Sequence, residues 1–319
     1  KESFDLANET TSKKLAELGE KELEIGKDFN EFKTIADDLL ARMAKDGHKD
    51  LRLKVPQHNI NKIQSLAISA TEYLTTVVGA GVSGAAAGFA VYSGVMAFAA
   101  ASTGTPIAAL SGAAAYNATM AAIGGGSLAA GGWGMAGGAM VLGGAVVAPL
   151  IAIAGWAYDS HAEKALNNAY QSSREVTAAV EKMNAAEAQL TKVQQYVNSI
   201  YESITRMHSV FIQHYFEPLK AMHAIIVERH EKNITTEISE SEEIMAIIDH
   251  GYELAAIMTD VISTPLFKPV TQENGEAVIE DGVIQLQTDS NGMNLLNKEI
   301  LDEKLAASAS EFDAFSSRI

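Results

Sequence analysis

From Val176 onward, residues at alternating steps of three and four form one stripe: Val176, Ala179, Met183, Ala186, Leu190, Val193, Val197, Ile200, Ile204, Met207, Phe211 and His214. Apolar residues dominate this rhythm, which is the a/d seam of a coiled coil and predicts a helix over about 159–232, bent where Pro218 removes a backbone donor. Leu15, Leu18, Glu22, Ile25, Phe29, Phe32, Ala36, Leu39 and Met43 keep the same spacing and predict an N-terminal helix. After a break over 46–57 it resumes as Ile60, Ile63, Ala67, Ala70, Leu74 and Val77, then runs on as Gly81, Gly84, Gly88, Val91, Val95 and Phe98. Helix is therefore expected to continue into this glycine-bearing stretch. Further on, Ile244, Ile248, Ala255, Met258 and Ile262 predict another amphipathic helix, opened by the acidic SESEE run and closed before Pro265. Residues 268–288, with NG and DG turns between alternating Val and Ile, predict a small β hairpin, followed by a last helix over about 294–315.

Charge changes this picture at one place. The chain carries a formal net charge of -16, yet residues 73–158 form 86 consecutive positions without Asp, Glu, Lys, Arg or His. The block holds 18 of the 25 glycines and much alanine, so it is uncharged without being strongly hydrophobic. Runs of about 20 uncharged, mostly apolar residues are long enough to cross a bilayer as helices. Stretches 75–101 and 128–157 meet that length, separated by the turn signals STGTP and GGGS. Tyr73 stands at one edge of the block and Trp156 with Tyr158 at the other, where amphipathic aromatics suit a membrane interface. A stripe of small residues, Thr76, Ala80, Ser83, Ala87, Ala90, Gly94, Ala97 and Ala101, offers the close-packing face that associates helices in lipid. Gly81, Gly84, Gly88, Gly134 and Gly138 are expected to serve as hinges or points of close approach. Four regions follow: helical arms over 1–72, the uncharged head over 73–158, returning helices over 159–264, and a hairpin with a terminal helix over 265–319.

Catalytic chemistry is not expected. GAGVSG at 79–84 matches a dinucleotide-binding glycine pattern, but no acid follows before Asp159 and no Lys lies in the block. His223 and His230, seven apart near Glu228, read as a solvated helix face, and Glu181, Glu187 and Glu202 as solvated coiled-coil surface. No metal ligand set, cofactor or nucleic-acid surface is expected, the last because 24 basic residues spread among 40 acidic ones form no cluster. The absence of cysteine excludes disulfides and thiolate ligands.

Long heptad helices interrupted by a single uncharged segment, with further helices returning alongside, resemble the cytolysin A superfamily of α-helical pore-forming toxins. The layout is most similar to membrane-inserting components of multi-part toxins related to haemolysin BL. The resemblance covers most of residues 10–264 and is one of architecture, with no diagnostic motif; this head is longer and richer in glycine than the β-tongue of cytolysin A. It implies an all-α fold, an elongated antiparallel helical bundle with an inserted uncharged head, and a secreted protein that moves from water into a target-cell lipid membrane and self-associates. Carried onto this sequence, it implies that Val91, Val95, Phe98, Leu128, Trp133, Val141, Leu142, Val146, Leu150 and Ile153 insert. Because such a head has no polar face, a second toxin subunit with an amphipathic hairpin is an expected partner. Two other readings stay open: a scaffold such as a phage tape-measure-like or membrane-anchored coiled-coil protein, and a soluble protein whose apolar block remains a buried core.

Overall fold

Helix α1 spans Glu2–Lys45. It stops where Gly47 takes φ +92°, and the His48 and Gly47 amides donate to the Met43 and Ala44 carbonyls. That paired closure is a Schellman motif, and the left-handed turn it needs is open to glycine at little steric cost. The computed structural model describes residues 2–48, 51–75, 86, 88–90, 162–232, 240–273, 275, 278–280, 283–289 and 294–318, and these form an all-α fold. After α1 come α2 (Gln57–Tyr73), α3 (Ala162–Phe211), a π-turn (Ile212–Phe216), α4 (Glu217–Glu231), α5 (Ser241–Ile262) and α6 (Lys298–Ser316).

The heptad seams make the core. Leu15, Leu18, Ile25, Phe29, Phe32, Ala36, Leu39 and Met43 of α1 are buried, as are Ala186, Leu190, Val193, Val197, Ile200, Ile204, Met207 and Phe211 of α3. Val176, Ala179 and Met183 lie outside the described side chains. Polar contacts fix the direction of packing. Ser3 Oγ donates to Glu187, Lys14 Nζ to Asn198, Asp28 pairs with His208, and Asp38 with His223 on α4. Partner numbers rise together, so α1 runs parallel to α3 and α4. The short 46–56 connection turns α2 back along α1, where Gly26 faces Ala70.

Helix α5 is apolar almost all round, which is the pattern of a helix covered on several sides. Ile244, Ile248, Leu254, Ala255, Met258, Val261 and Ile262 are buried, and a Cβ on Gly251 would strike the Phe32 ring. Phe32 packs its ring against Tyr252 at 5.3 Å and Phe211 at 5.1 Å between centroids, and Phe29 meets Phe211 at 5.3 Å. Such tilted and edge-on pairs suit aromatic quadrupoles. Helices α1, α3 and α5 thus meet in one aromatic centre.

Two features differ from the sequence reading. His214 was expected on the seam but is exposed, while Tyr215 is buried. The cause is the π-turn, which inserts one extra residue and swings His214 outward; the Glu217 amide reaches back to the Ile212 carbonyl. Pro218 follows within the first turn of α4. A proline ring clashes with the carbonyl four residues earlier in an α-helix, and the widened turn removes that conflict. The β hairpin expected over 268–288 does not form as a regular element. Ile279–Glu280 and Val283–Ile284 make a ladder of two residues per strand, with isolated bridges Phe267–Leu296, Pro269–Leu286 and Thr288–Asn294. Phe267 is fully buried here, and α6 then returns along α3, with the Tyr196 hydroxyl donating to Asp302 at 2.6 Å and Arg206 over the Phe312 ring.

Candidate functional site

The described part of the uncharged block is its root. Tyr73, Phe89 and Ala90 are 7%, 2% and 7% exposed, and Gly88 is buried with them. The rings of Tyr73 and Phe89 lie 5.1 Å apart at their centroids, tilted by 57°. In one straight helix, sixteen residues at 1.5 Å each would separate them by about 24 Å. One straight helix from Tyr73 to Phe89 is therefore not the arrangement present, although 86 and 88–90 are helical, as the heptad spacing expects.

The root sits in a notch on α1. A Cβ at Gly19 would collide with the Ala86 carbonyl and come within 3.2 Å of the Ala90 nitrogen, and a Cβ at Gly26 would collide with the Ala70 methyl. Two glycines seven residues apart, on the buried side of α1, thus admit the Ala70 methyl of α2 and the backbone of Ala86 and Ala90 close to the helix. Side chains as small as alanine are already too large. Glu22, buried in the same heptad, lies between the two glycines in sequence.

Of the positions singled out from the sequence, Tyr73, Gly88 and Ala90 fall in this joint. Tyr73 is packed against Phe89 in this structure. Val91, Val95, Phe98, Leu128, Trp133, Val141, Leu142, Val146, Leu150, Ile153, Trp156, Tyr158, Gly81, Gly84, Gly134 and Gly138 lie outside the described residues. Gly19 and Gly26 were not singled out. A signal for them exists: both interrupt a strong heptad, where glycine costs about 1 kcal/mol relative to alanine, so each needs a packing reason.

The histidines named from the sequence do not converge. His223 Nε2 lies 2.8 Å from Asp38 Oδ2, and His230 Nδ1 lies 2.9 Å from the Ile226 carbonyl oxygen of its own helix. Arg42 donates to the same Asp38 carboxylate at 2.6 Å, and these partners hold its pKa below the ordinary value, Arg42 contributing most, against an opposing effect of burial. Burial raises the Tyr215 phenol, whose hydroxyl is enclosed with no partner among the described residues, and also the Tyr252 phenol. None of these groups assembles a nucleophile, a base and an orienting partner. Among the described residues, no helix is long and apolar enough to cross a membrane. Compared with protein-family models, with curated proteins and with solved structures, the chain gives no match.

Proposed function

We propose that this chain is a component of an α-helical pore-forming toxin: a secreted, elongated helical bundle whose uncharged block, residues 73–158, serves as a head that enters a target-cell membrane and oligomerises into a lytic pore. The observation that carries the reading is the block itself, 86 residues without a charge joined to arms whose charged heptad faces are solvated. A permanent water-soluble core of that length would need surface loops, and loops bring charge. The alanine and glycine content supports a reversible role, because weak hydrophobicity lets the segment rest against protein before it meets lipid. The root docked at Gly19 supports the same view, since α1 there provides a protein surface for Ala86 and Ala90 of the block.

In this reading, Val91, Val95, Phe98, Leu128, Trp133, Val141, Leu142, Val146, Leu150 and Ile153 face lipid, and Trp156 and Tyr158 anchor at its interface. A wall of Ala, Gly, Ser and Thr makes a poor wet lining, so a second subunit with an amphipathic hairpin completes the pore. The test is vesicle flotation and dye release by the detergent-free chain, beside a Val95→Asp plus Val146→Asp variant. Flotation of the wild type and not of the variant is expected. Binding without release places the missing step in a partner subunit, whereas full release by this chain alone removes the need for one. A chain that ignores vesicles of every composition would overturn the toxin reading in favour of a scaffold or a permanently buried block.

A further inference from the structure

We propose that Glu24, Asp28 and His208 form a binding site for a zinc-class divalent ion that ties α1 to α3. Glu24 and Asp28 stand four residues apart on α1, so their side chains share one face. His208 reaches across from α3, its Nε2 2.9 Å from Asp28 Oδ2. One ligand atom from each of the three residues lies within 4.8 Å of the others. The site is sheltered: the His208 and Asp28 side chains are 3% and 16% exposed, and the imidazole stacks on Phe211 at 6.3 Å. An ion held at about 2.0–2.2 Å from each donor sets the donors about 3.3–3.5 Å apart. The inner pair is already near that spacing, and Glu24, at the exposed edge, closes the remainder by turning its side chain.

The donor set selects the ion. One imidazole nitrogen with two carboxylate oxygens suits zinc and its neighbours, whereas magnesium and calcium prefer oxygen alone. Charge points the same way. Two carboxylates converge here; Lys21, 2.8 Å from Glu24, offsets one of them, and Lys220, which pairs with Glu31, bears on Asp28 from α4. The comparison within the molecule is informative. A second histidine–carboxylate pair, His223 with Asp38, also bridges α1 to the returning helices, but there the carboxylate is taken by Arg42, a fixed cation standing where an ion would go. At His208 the neighbouring group is a second carboxylate. A bound ion would fasten the two longest helices to each other beside the aromatic centre, whatever the block does.

The experiment uses the full, tag-free chain stripped with chelator, titrated with zinc while thermal unfolding is followed, and with cobalt while visible absorption is followed. One equivalent is expected to raise the unfolding temperature and to give a cobalt spectrum of low coordination number. Glu24→Gln should weaken binding at least about tenfold, the loss that removing even a hydrogen-bonded partner behind a metal ligand brings. Its metal-free unfolding temperature should match the wild type, since Glu24 is exposed. Asp28→Asn and His208→Gln should weaken binding further, and His223→Gln should not affect it. Should His208→Gln fail to fold, Glu24→Gln decides. An unfolding temperature and spectrum unmoved by metal, or a response that Glu24→Gln retains in full, overturns the site.

Discussion

Tyr73 and Phe89 are ring partners, 5.1 Å apart at their centroids, although sixteen residues separate them in the chain. The contact closes the start of the uncharged block onto the end of α2, next to the glycine notch of α1. It also gives the block's root a handle that can be measured. In a double-mutant cycle with Tyr73→Ala and Phe89→Ala, an aromatic pair of this kind should show a coupling of about 0.5–1.5 kcal/mol in urea unfolding. A straight helix would hold the two rings too far apart to couple, so strict additivity of the two substitutions would rule the joint out.

Gly19 gives a test by sign. In an exposed helix, replacing glycine with alanine stabilises by about 1 kcal/mol because the unfolded chain loses freedom. At Gly19 the added Cβ meets the Ala86 carbonyl. Gly19→Ala should therefore destabilise, by about 1–3 kcal/mol as for other overpacked sites. Gly47, with φ +92° and open space around it, is the contrasting case: loss there would come from backbone strain alone. A raised unfolding midpoint for Gly19→Ala would mean that the block's root does not rest on α1.

The parts of the fold that were legible in the sequence are those where charge and hydrophobicity alternate. The seams of α1 and α3 stand out because Lys, Glu and Asp mark the opposite faces, and the residues named there from spacing whose side chains are described are buried. The block offers no such contrast. Without charged positions a continuous heptad rhythm from Ile60 to Phe98 can be written, but nothing in it records whether the helix runs on or folds back, and Tyr73 against Phe89 is invisible. The notch was readable only as two unexplained glycines in a helix. The shift of His214 out of the seam needed the consequence of Pro218 for the preceding turn, which a periodicity count does not include.

That shift can itself be tested by deletion. The π-turn places one surplus residue between Phe211 and Tyr215, and both His214 and Gln213 are exposed. Removing His214 brings Tyr215 to three positions after Phe211 and keeps Leu219 four beyond it, so the seam is preserved in an ordinary α-helix. The proline then clashes with the carbonyl four residues before it, at about 3 kcal/mol. Deletion of His214 should be destabilising alone and largely rescued by Pro218→Ala. Deletion of the exposed Tyr201, within regular α3, should rotate the seam on one side of the cut, and Pro218→Ala should not rescue it. Equal effects of Pro218→Ala on both deletions would show that the π-turn has another cause.

Acid should act through Asp38. Its carboxylate accepts from Arg42 at 2.6 Å and lies 2.8 Å from His223, joining the C-terminal part of α1 to α4. Arg42 is the first cause of its lowered pKa, partial burial opposes it, and His223 adds to the lowering, relative to an ordinary value of 3.8. A folded-state value below the unfolded one means that the contribution is fully present above the unfolded value and is lost as pH falls through the folded value. The side chain is 41% exposed, so solvent screens the pair and the effect is small. Asp38→Asn should accordingly be less stable than wild type at neutral pH, and the difference in urea midpoint should shrink as pH is taken from about 5 to below about 3. Added salt should narrow it at neutral pH for the same reason. A difference that holds constant across that range would mean that Asp38 acts through packing or neutral hydrogen bonds, and that its charge contributes nothing to holding α4 on α1.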